Sequence, residues 1–189
     1  MFSTHLSLLR LLRQEGEALP SQPMKPKHIA TADRTGTLLE MKIGSAEDVP
    51  SLLEMYRTFS PRPASQGLPP RDPETCRQWV NNLFAIGQNF LACRGSRVIG
   101  HAALVPDVRG KSGEFVIFVD QDHRSLGIGT ELTRFVLEIC GRLGFDSVWL
   151  TVHMSNFIAL KLYGKFGFEY CDGDPYERVM RVRLGPLAR

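Results

Sequence analysis

The hydrophobic pattern changes period several times along the chain, and each change marks an element. Phe115-Val116-Ile117-Phe118-Val119 is β-branched and aromatic without a break, which predicts a strand buried on both faces. It runs into a polar turn, Asp120 to Thr130, punctuated by Gly127 and Gly129. Beyond the turn, Ile128, Leu132, Phe135, Val136, Ile139 and Leu143 recur at helical spacing, while Glu131, Arg134, Glu138 and Arg142 take the other side. A strand, a glycine turn and a helix in that order point unpaired backbone N–H groups at a phosphate.

The rest of the chain is arranged around that unit. Leu38 to Ile43 alternates as a first strand, and Ser45 with Asp48 forms a capping box ahead of a helix carrying Leu52, Leu53, Met55 and Tyr56, with Pro50 in its first turns. Ser60 to Arg71 holds four prolines and must be a loop, either a binding element or a variable connection. Asp72 caps a second helix, Pro73 to about Ala85, and two strands follow, Asn89 to Arg94 and Arg97 to Val105, joined at Gly95-Ser96. After the central helix, closed by Gly144, Val148, Leu150 and Val152 alternate as a strand. Ser155 caps a short helix with Ile158, Ala159, Leu162, Tyr163 and Phe166, and Phe168 to Cys171 and Tyr176 to Leu184 are final strands separated by Asp172 to Pro175.

The order βααβββαβαββ predicts an α/β (α+β) domain with a mixed, mainly antiparallel sheet flanked by about four helices. The two strands flanking the central helix should be parallel neighbours joined by a right-handed crossover. Residues 1–37 read as a partly ordered N-terminal arm and 38–189 as the domain.

Composition narrows the function classes. Of 189 residues, 43% are apolar and 23% charged, and no apolar run nears the roughly 20 residues of a membrane span. The net charge of +3 is too small to imply nucleic acid and mildly favours an anionic ligand. Cys76, Cys93, Cys140 and Cys171 are widely spaced, suggesting neither a disulfide framework nor a metal site, so the expected setting is the cytoplasm. Near the start, Arg10 and Arg13 interrupt the apolar stretch Leu6 to Arg13, unlike a secretory signal, and a transit peptide stays open with Glu15 and Glu17 counting against it.

Two other glycine-loop chemistries fit poorly. A nucleotide-binding P-loop needs Gly-Lys-Ser/Thr, and here Gly129 is followed by Thr130-Glu131-Leu132. A dinucleotide fingerprint needs a third glycine where Leu132 stands. What does match is Arg124-x-x-Gly127-x-Gly129 between strand and helix, followed downstream by Ser155-Asn156-x-x-Ala159-x-x-Leu162-Tyr163-x-x-Phe166-Gly167-Phe168. Together these resemble the acetyl-CoA motif and the last helix and strand of the GNAT superfamily of N-acetyltransferases, over roughly Leu38 to Leu184.

The resemblance implies acetyl-CoA as acetyl donor. Backbone N–H groups of Ser125, Leu126, Gly127, Ile128, Gly129 and Thr130 would hold the coenzyme pyrophosphate. The edge formed by Ile117, Phe118 and Val119 would pair with the pantetheine arm and polarise the thioester carbonyl. Arg124 would add charge to a phosphate, Asn156 would touch the coenzyme, and Tyr163 would protonate the departing thiolate. The general base is open. Thr151 stands where several relatives that acetylate protein termini carry a glutamate. Other relatives place it where Gly113 stands here, one residue before Glu114; a bulge would be needed to turn Glu114 to that face. Glu114 leads, with His101 and His153 behind it.

The implied activity is acetyl transfer to a primary amine, on a small molecule or a protein lysine, by direct attack in a ternary complex. No metal, nucleic acid or membrane is expected. Arg178, Arg181 and Arg183 suit either a protected edge or a charged homodimer interface. The competing reading is a domain that binds acyl-CoA without turnover.

Overall fold

The computed structural model describes residues 28–60, 69–107, 111–173 and 175–185. Eight strands form one sheet: β1 (His28–Ala32), β2 (Leu38–Ile43), β3 (Gln88–Arg94), β4 (Arg97–Pro106), β5 (Ser112–Val119), β6 (Ser147–His153), β7 (Glu169–Gly173) and β8 (Glu177–Arg183). Their order across the sheet is β1-β2-β3-β4-β5-β6-β8-β7, and only β5 and β6 pair in parallel. Four helices complete the described residues: α1 (Val49–Arg57), α2 (Pro73–Ile86), α3 (Ile128–Arg142) and α4 (Phe157–Gly164). The mixed sheet expected from the pattern is therefore observed, and α3 makes the connection between the two parallel strands.

Each sheet face carries its own core. On one, Leu52, Met55 and Tyr56 of α1 and Trp79, Val80 and Leu83 of α2 pack on Ala103, Val105, Val116 and Phe118. On the other, Ile128, Leu132, Phe135, Val136 and Ile139 of α3 and Tyr163 of α4 pack on Phe90, Leu104, Phe115 and Leu150. Full burial of each such side chain contributes about 1.5–3 kcal/mol, so α3 is held chiefly by this stripe. Leu143, expected in the same stripe, is 42% exposed because the helix has ended. Gly144 there takes φ +81°, and the Phe145 N–H returns to the Cys140 carbonyl at 3.1 Å to close the last turn.

Local chemistry explains the other helix starts. The Asp72 side chain accepts the Thr75 N–H at 2.7 Å with Pro73 in the first turn. Ser45 N–H donates to Asp48 at 2.9 Å, and a short 3-10 turn, Ala46–Asp48, precedes α1. Asn156 rather than Ser155 caps α4, its side chain accepting the Ala159 N–H at 3.2 Å. Ser155 instead bonds His153 Nδ1 at 2.7 Å.

The sheet begins earlier than the hydrophobic pattern announces. β1 lies within the expected arm and pairs with β2 along its whole length. Only Ile29 of its five residues is an apolar side chain packed on the core, so this edge strand leaves little periodic signal. The amphipathic stretch Leu6 to Arg13 and the proline-rich centre of the loop after α1 lie outside the described residues.

A second departure concerns β5. Phe115 is buried, but Val116, Ile117, Phe118 and Val119 are only half-buried. The cause is topological: β6 pairs with β5 at Ser112, Gly113 and Glu114 and then leaves it.

Candidate active site

The divergence of β5 and β6 opens an edge in the middle of the sheet. Asp120 N–H donates to the Ile99 carbonyl of β4 at 3.0 Å. In an antiparallel ladder successive residues address opposite edges, so Phe118 faces β4 while Val119 and Ile117 turn their backbone groups toward the side β6 has vacated. The Val119 carbonyl is met there by Arg124 Nε at 3.1 Å. Arg124 also lies over the Phe59 ring, 5.2 Å from its centroid, and partial burial lowers the pKa of its guanidinium. This arginine thus packs across the end of β5 while staying solvent-exposed.

Next to this edge, the glycine turn is fixed from beneath. The buried Asp120 side chain accepts the Asp122 N–H at 3.0 Å and pairs with Arg97 at 2.8 Å. Ser125 and Gly127 both adopt left-handed backbone, φ +63° and +89°, which turns consecutive amides in one direction. Thr130 and Glu131 N–H groups return to the Gly127 carbonyl at 2.9 and 3.1 Å. The N–H groups of Ser125, Leu126, Gly127, Ile128 and Gly129 find no acceptor among the described residues, leaving a row of donors at the positive end of α3. Thr130, expected in that row, is engaged because its N–H already closes the first helical turn.

One residue at the turn escaped the sequence reading. Arg34, between β1 and β2, donates its N–H to the Leu126 carbonyl at 2.9 Å and its guanidinium to the Ser125 carbonyl at 3.2 Å. A Cβ on Gly127 would stand 3.2 Å from Arg34 Cγ, so the glycine makes room for this arm as well as for its own positive φ. The local signal was there: Asp33 and Gly36 bracket a tight turn in which Asp33 accepts from Thr35 and Thr37 N–H at 2.8 and 3.1 Å. What the turn touches, 91 residues along the chain at Ser125, has no local signal.

Candidate catalytic groups separate onto the two faces. Tyr163 of α4 packs edge-on to Phe115, centroids 6.3 Å apart, and against Phe168 at 5.5 Å. Burial pushes its phenol well above the usual range, which keeps the hydroxyl protonated and able to donate. Glu114 is buried on the opposite face, beside Trp149 of β6 in register; β5 pairs with β4 without the bulge that would turn Glu114 to the side of Gly113, and alternation puts Trp149, Thr151 and His153 of β6 on the face of Glu114. Three of the candidate base positions therefore share one side of the sheet. Asn156 is exposed and occupied in capping α4.

His101 is a correction. It is fully buried on β4, its Nδ1 2.7 Å from the Tyr56 hydroxyl and its Nε2 2.9 Å from Asn89 Oδ1. Asn89 Nδ2 donates to the Leu83 and Gly87 carbonyls at 2.9 and 3.2 Å, which fixes the amide orientation. His101 must then carry its proton on Nε2 and accept from Tyr56 on Nδ1. Burial lowers its pKa to about 3, so it ties α1 and α2 to the sheet as a neutral ring and has no free nitrogen for an acceptor amine.

Comparison with known proteins gives the family to which this fold belongs. The family model for the Acetyltransferase (GNAT) family covers residues 50–168. The chain belongs to this GNAT family. Among curated relatives, the L-amino acid N-acetyltransferase AaaT of Escherichia coli K12 is 33% identical over 86 residues, 43% of this chain and 53% of that protein. The chain covers 29% and 53% of the length of two such relatives, less than two thirds of either. Among solved structures, the GNAT domain of S. lividans PAT superimposes with a TM-score of 0.70 at 13% identity, covering 83% of this chain and 97% of that one. PaiA N-acetyltransferase from Thermoplasma acidophilum, in complex with coenzyme A, gives 0.63 at 19% identity over 77% and 98%. At these identities the structural neighbours establish the GNAT fold of the chain. No helix among the described residues is long and apolar enough to cross a membrane.

Proposed function

We propose that this GNAT domain is an acetyl-CoA-dependent N-acetyltransferase acting on a primary amine by direct attack in a ternary complex. The observation that carries the reading is the edge at Ile117 and Val119, unpaired by any strand where β6 departs after Glu114. Among the described residues only Arg124 touches it, at the Val119 carbonyl, and it is followed in the chain by the amides of residues 125 to 129, which have no acceptor among those residues. A coenzyme A chain needs both features: hydrogen-bond partners for an extended amide-bearing arm, and N–H donors with positive potential for a pyrophosphate. When bound, the coenzyme supplies an activated acetyl thioester.

The chain's own residues account for the remaining steps. Backbone groups of Ile117 and Val119 orient the arm, Phe118 being committed to β4 instead of the expected edge, and an amide at this edge meets negative charge developing on the carbonyl oxygen. Tyr163 holds a proton at its hydroxyl for the departing sulfur; a phenol is protonated throughout the physiological range, and burial holds that proton more tightly. The acceptor approaches from the face of Glu114, Thr151 and His153, and Glu114 is the group we assign to take the amine proton, directly or through water. Asn156 is assigned to the coenzyme-binding set beyond its capping role. Both a small-molecule amine and a protein lysine fit this chemistry. The cysteines are free thiols, three of them buried in packed elements, in keeping with a cytoplasmic setting.

Titration with acetyl-CoA, followed by thiol release in the presence of a panel of amines, tests the reading. Saturable binding with amine-dependent release is expected. Binding without release for any amine would favour a non-catalytic acyl-CoA-binding domain, and no binding would remove the coenzyme assignment.

A further inference from the structure

The glycine turn is lined by a cation from outside the two family motifs. Arg34 is anchored on both sides. Asp33, the preceding residue, accepts from the Thr35 and Thr37 amides and forms a salt bridge with Arg94, and this locks the β1–β2 turn. Arg34 then bonds the turn itself, through its own N–H to Leu126 and through Nη1 to Ser125. Its alkyl arm lies over Gly127, the residue whose left-handed backbone aims the free amides.

Among the described residues no carboxylate pairs with Arg34, a property it shares with Arg71, Arg124, Arg178, Arg181 and Arg183, but of these only Arg34 and Arg124 touch the glycine turn or the strand end beside it. Arg57, Arg77, Arg94, Arg97, Arg134 and Arg142 each pair with a carboxylate. Arg34 has no carboxylate partner among the described residues, and Asp33 is committed to Arg94. Its one described side-chain bond, to a neutral carbonyl, leaves most of the five guanidinium donors for another acceptor. A planar donor fork held on the same turn that carries the unpaired amides is matched to phosphate oxygens.

Resting on the coenzyme reading above, we infer that Arg34 is a phosphate-binding residue of the site, and that the β1–β2 turn is part of the coenzyme-binding surface. The shared ligand chemistry is a phosphate ester or diester, which acetyl-CoA offers as its pyrophosphate and as its 3′-phosphate. Loss of one charge-assisted contact at a half-open site should weaken binding about tenfold.

The test is calorimetric titration of wild type, Arg34→Gln and Arg34→Lys with acetyl-CoA, 3′-dephospho-acetyl-CoA and S-acetyl-pantetheine, at two salt concentrations. Arg34→Gln should bind acetyl-CoA about tenfold more weakly with a shallower salt dependence, Arg34→Lys should recover most of the loss, and S-acetyl-pantetheine should not distinguish the three. A loss that persists with the dephospho compound assigns the contact to the pyrophosphate, and a loss that vanishes assigns it to the 3′-phosphate. Equal affinity of wild type and Arg34→Gln overturns the inference. So does an Arg34→Lys protein as weak as Arg34→Gln with the wild-type salt slope, since that is the behaviour of a residue that only shapes the turn. If wild type fails to bind acetyl-CoA at all, the coenzyme reading fails first, and the two failures are told apart by that control.

Discussion

Buried His101 makes an acid-dependent stability term that can be calculated and isolated. Its ordinary pKa of 6.5 falls to about 3 in the fold because both ring nitrogens are inside the protein, between Tyr56 and Asn89. The folded-state pKa is depressed, so the unfolded chain binds the proton first. The stabilisation is complete above pH 6.5 and is lost as pH falls from 6.5 toward 3. Each pH unit in that window costs about 1.4 kcal/mol, so going from pH 7.5 to 5.0 removes roughly 2 kcal/mol from this one residue. Urea unfolding of wild type and His101→Gln at both pH values measures it, because the other histidines are common to the two proteins and cancel. His101→Gln will be less stable at neutral pH, having lost a shaped pair of hydrogen bonds, but its stability should fall by about 2 kcal/mol less on acidification. Parallel losses in the two proteins would refute the argument that His101 is held neutral in the core, and would reopen it as an acid–base group.

The other expectations concern the site. Tyr163→Phe should lower turnover about 10–100-fold while acetyl-CoA affinity changes little, and normal turnover in a stopped thiol-release assay would remove Tyr163 as the acid. Gly127→Glu should abolish tight coenzyme binding, since it forces a side chain into left-handed backbone at φ +89°, against Arg34 and with the wrong charge for a phosphate; an unchanged dissociation constant would refute the cradle. Asn156→Ala should cost about 1 kcal/mol through the lost α4 cap, a fall of roughly 2–4 °C in Tm, and an unchanged melting curve would show that the Ala159 N–H finds another acceptor.

Much of the scaffold could be read from neighbouring residues because its causes are local. An unbroken apolar run, left-handed glycines and a 3.6-residue apolar stripe are properties of segments, and they locate β5, the turn and α3 with little reference to the remainder. The cap at Asp72 and the stop at Gly144 are of the same kind. Errors were small where the signal was local but degenerate: Ser155 and Asn156 are both competent caps, and only the course of the chain selects the second.

What the segments could not carry were relations between them. Ile117 and Val119 are apolar whether a strand is paired on both sides or stands beside an open edge, so the departure of β6 after Glu114 leaves no mark in either strand. His101 has the composition of a candidate base and becomes a neutral structural ring only because Tyr56 and Asn89 arrive from other elements to satisfy it. Arg34 shows no binding role in the sequence until the β1–β2 hairpin is laid against Leu126. The sequence alone determined the glycine turn and the helix behind it, since backbone conformation and amphipathic period are set within a few residues. The tertiary structure alone decided which strand edge is open, which histidine is sealed and which arginine stands at the turn, since burial and free hydrogen-bonding groups depend on what packs alongside.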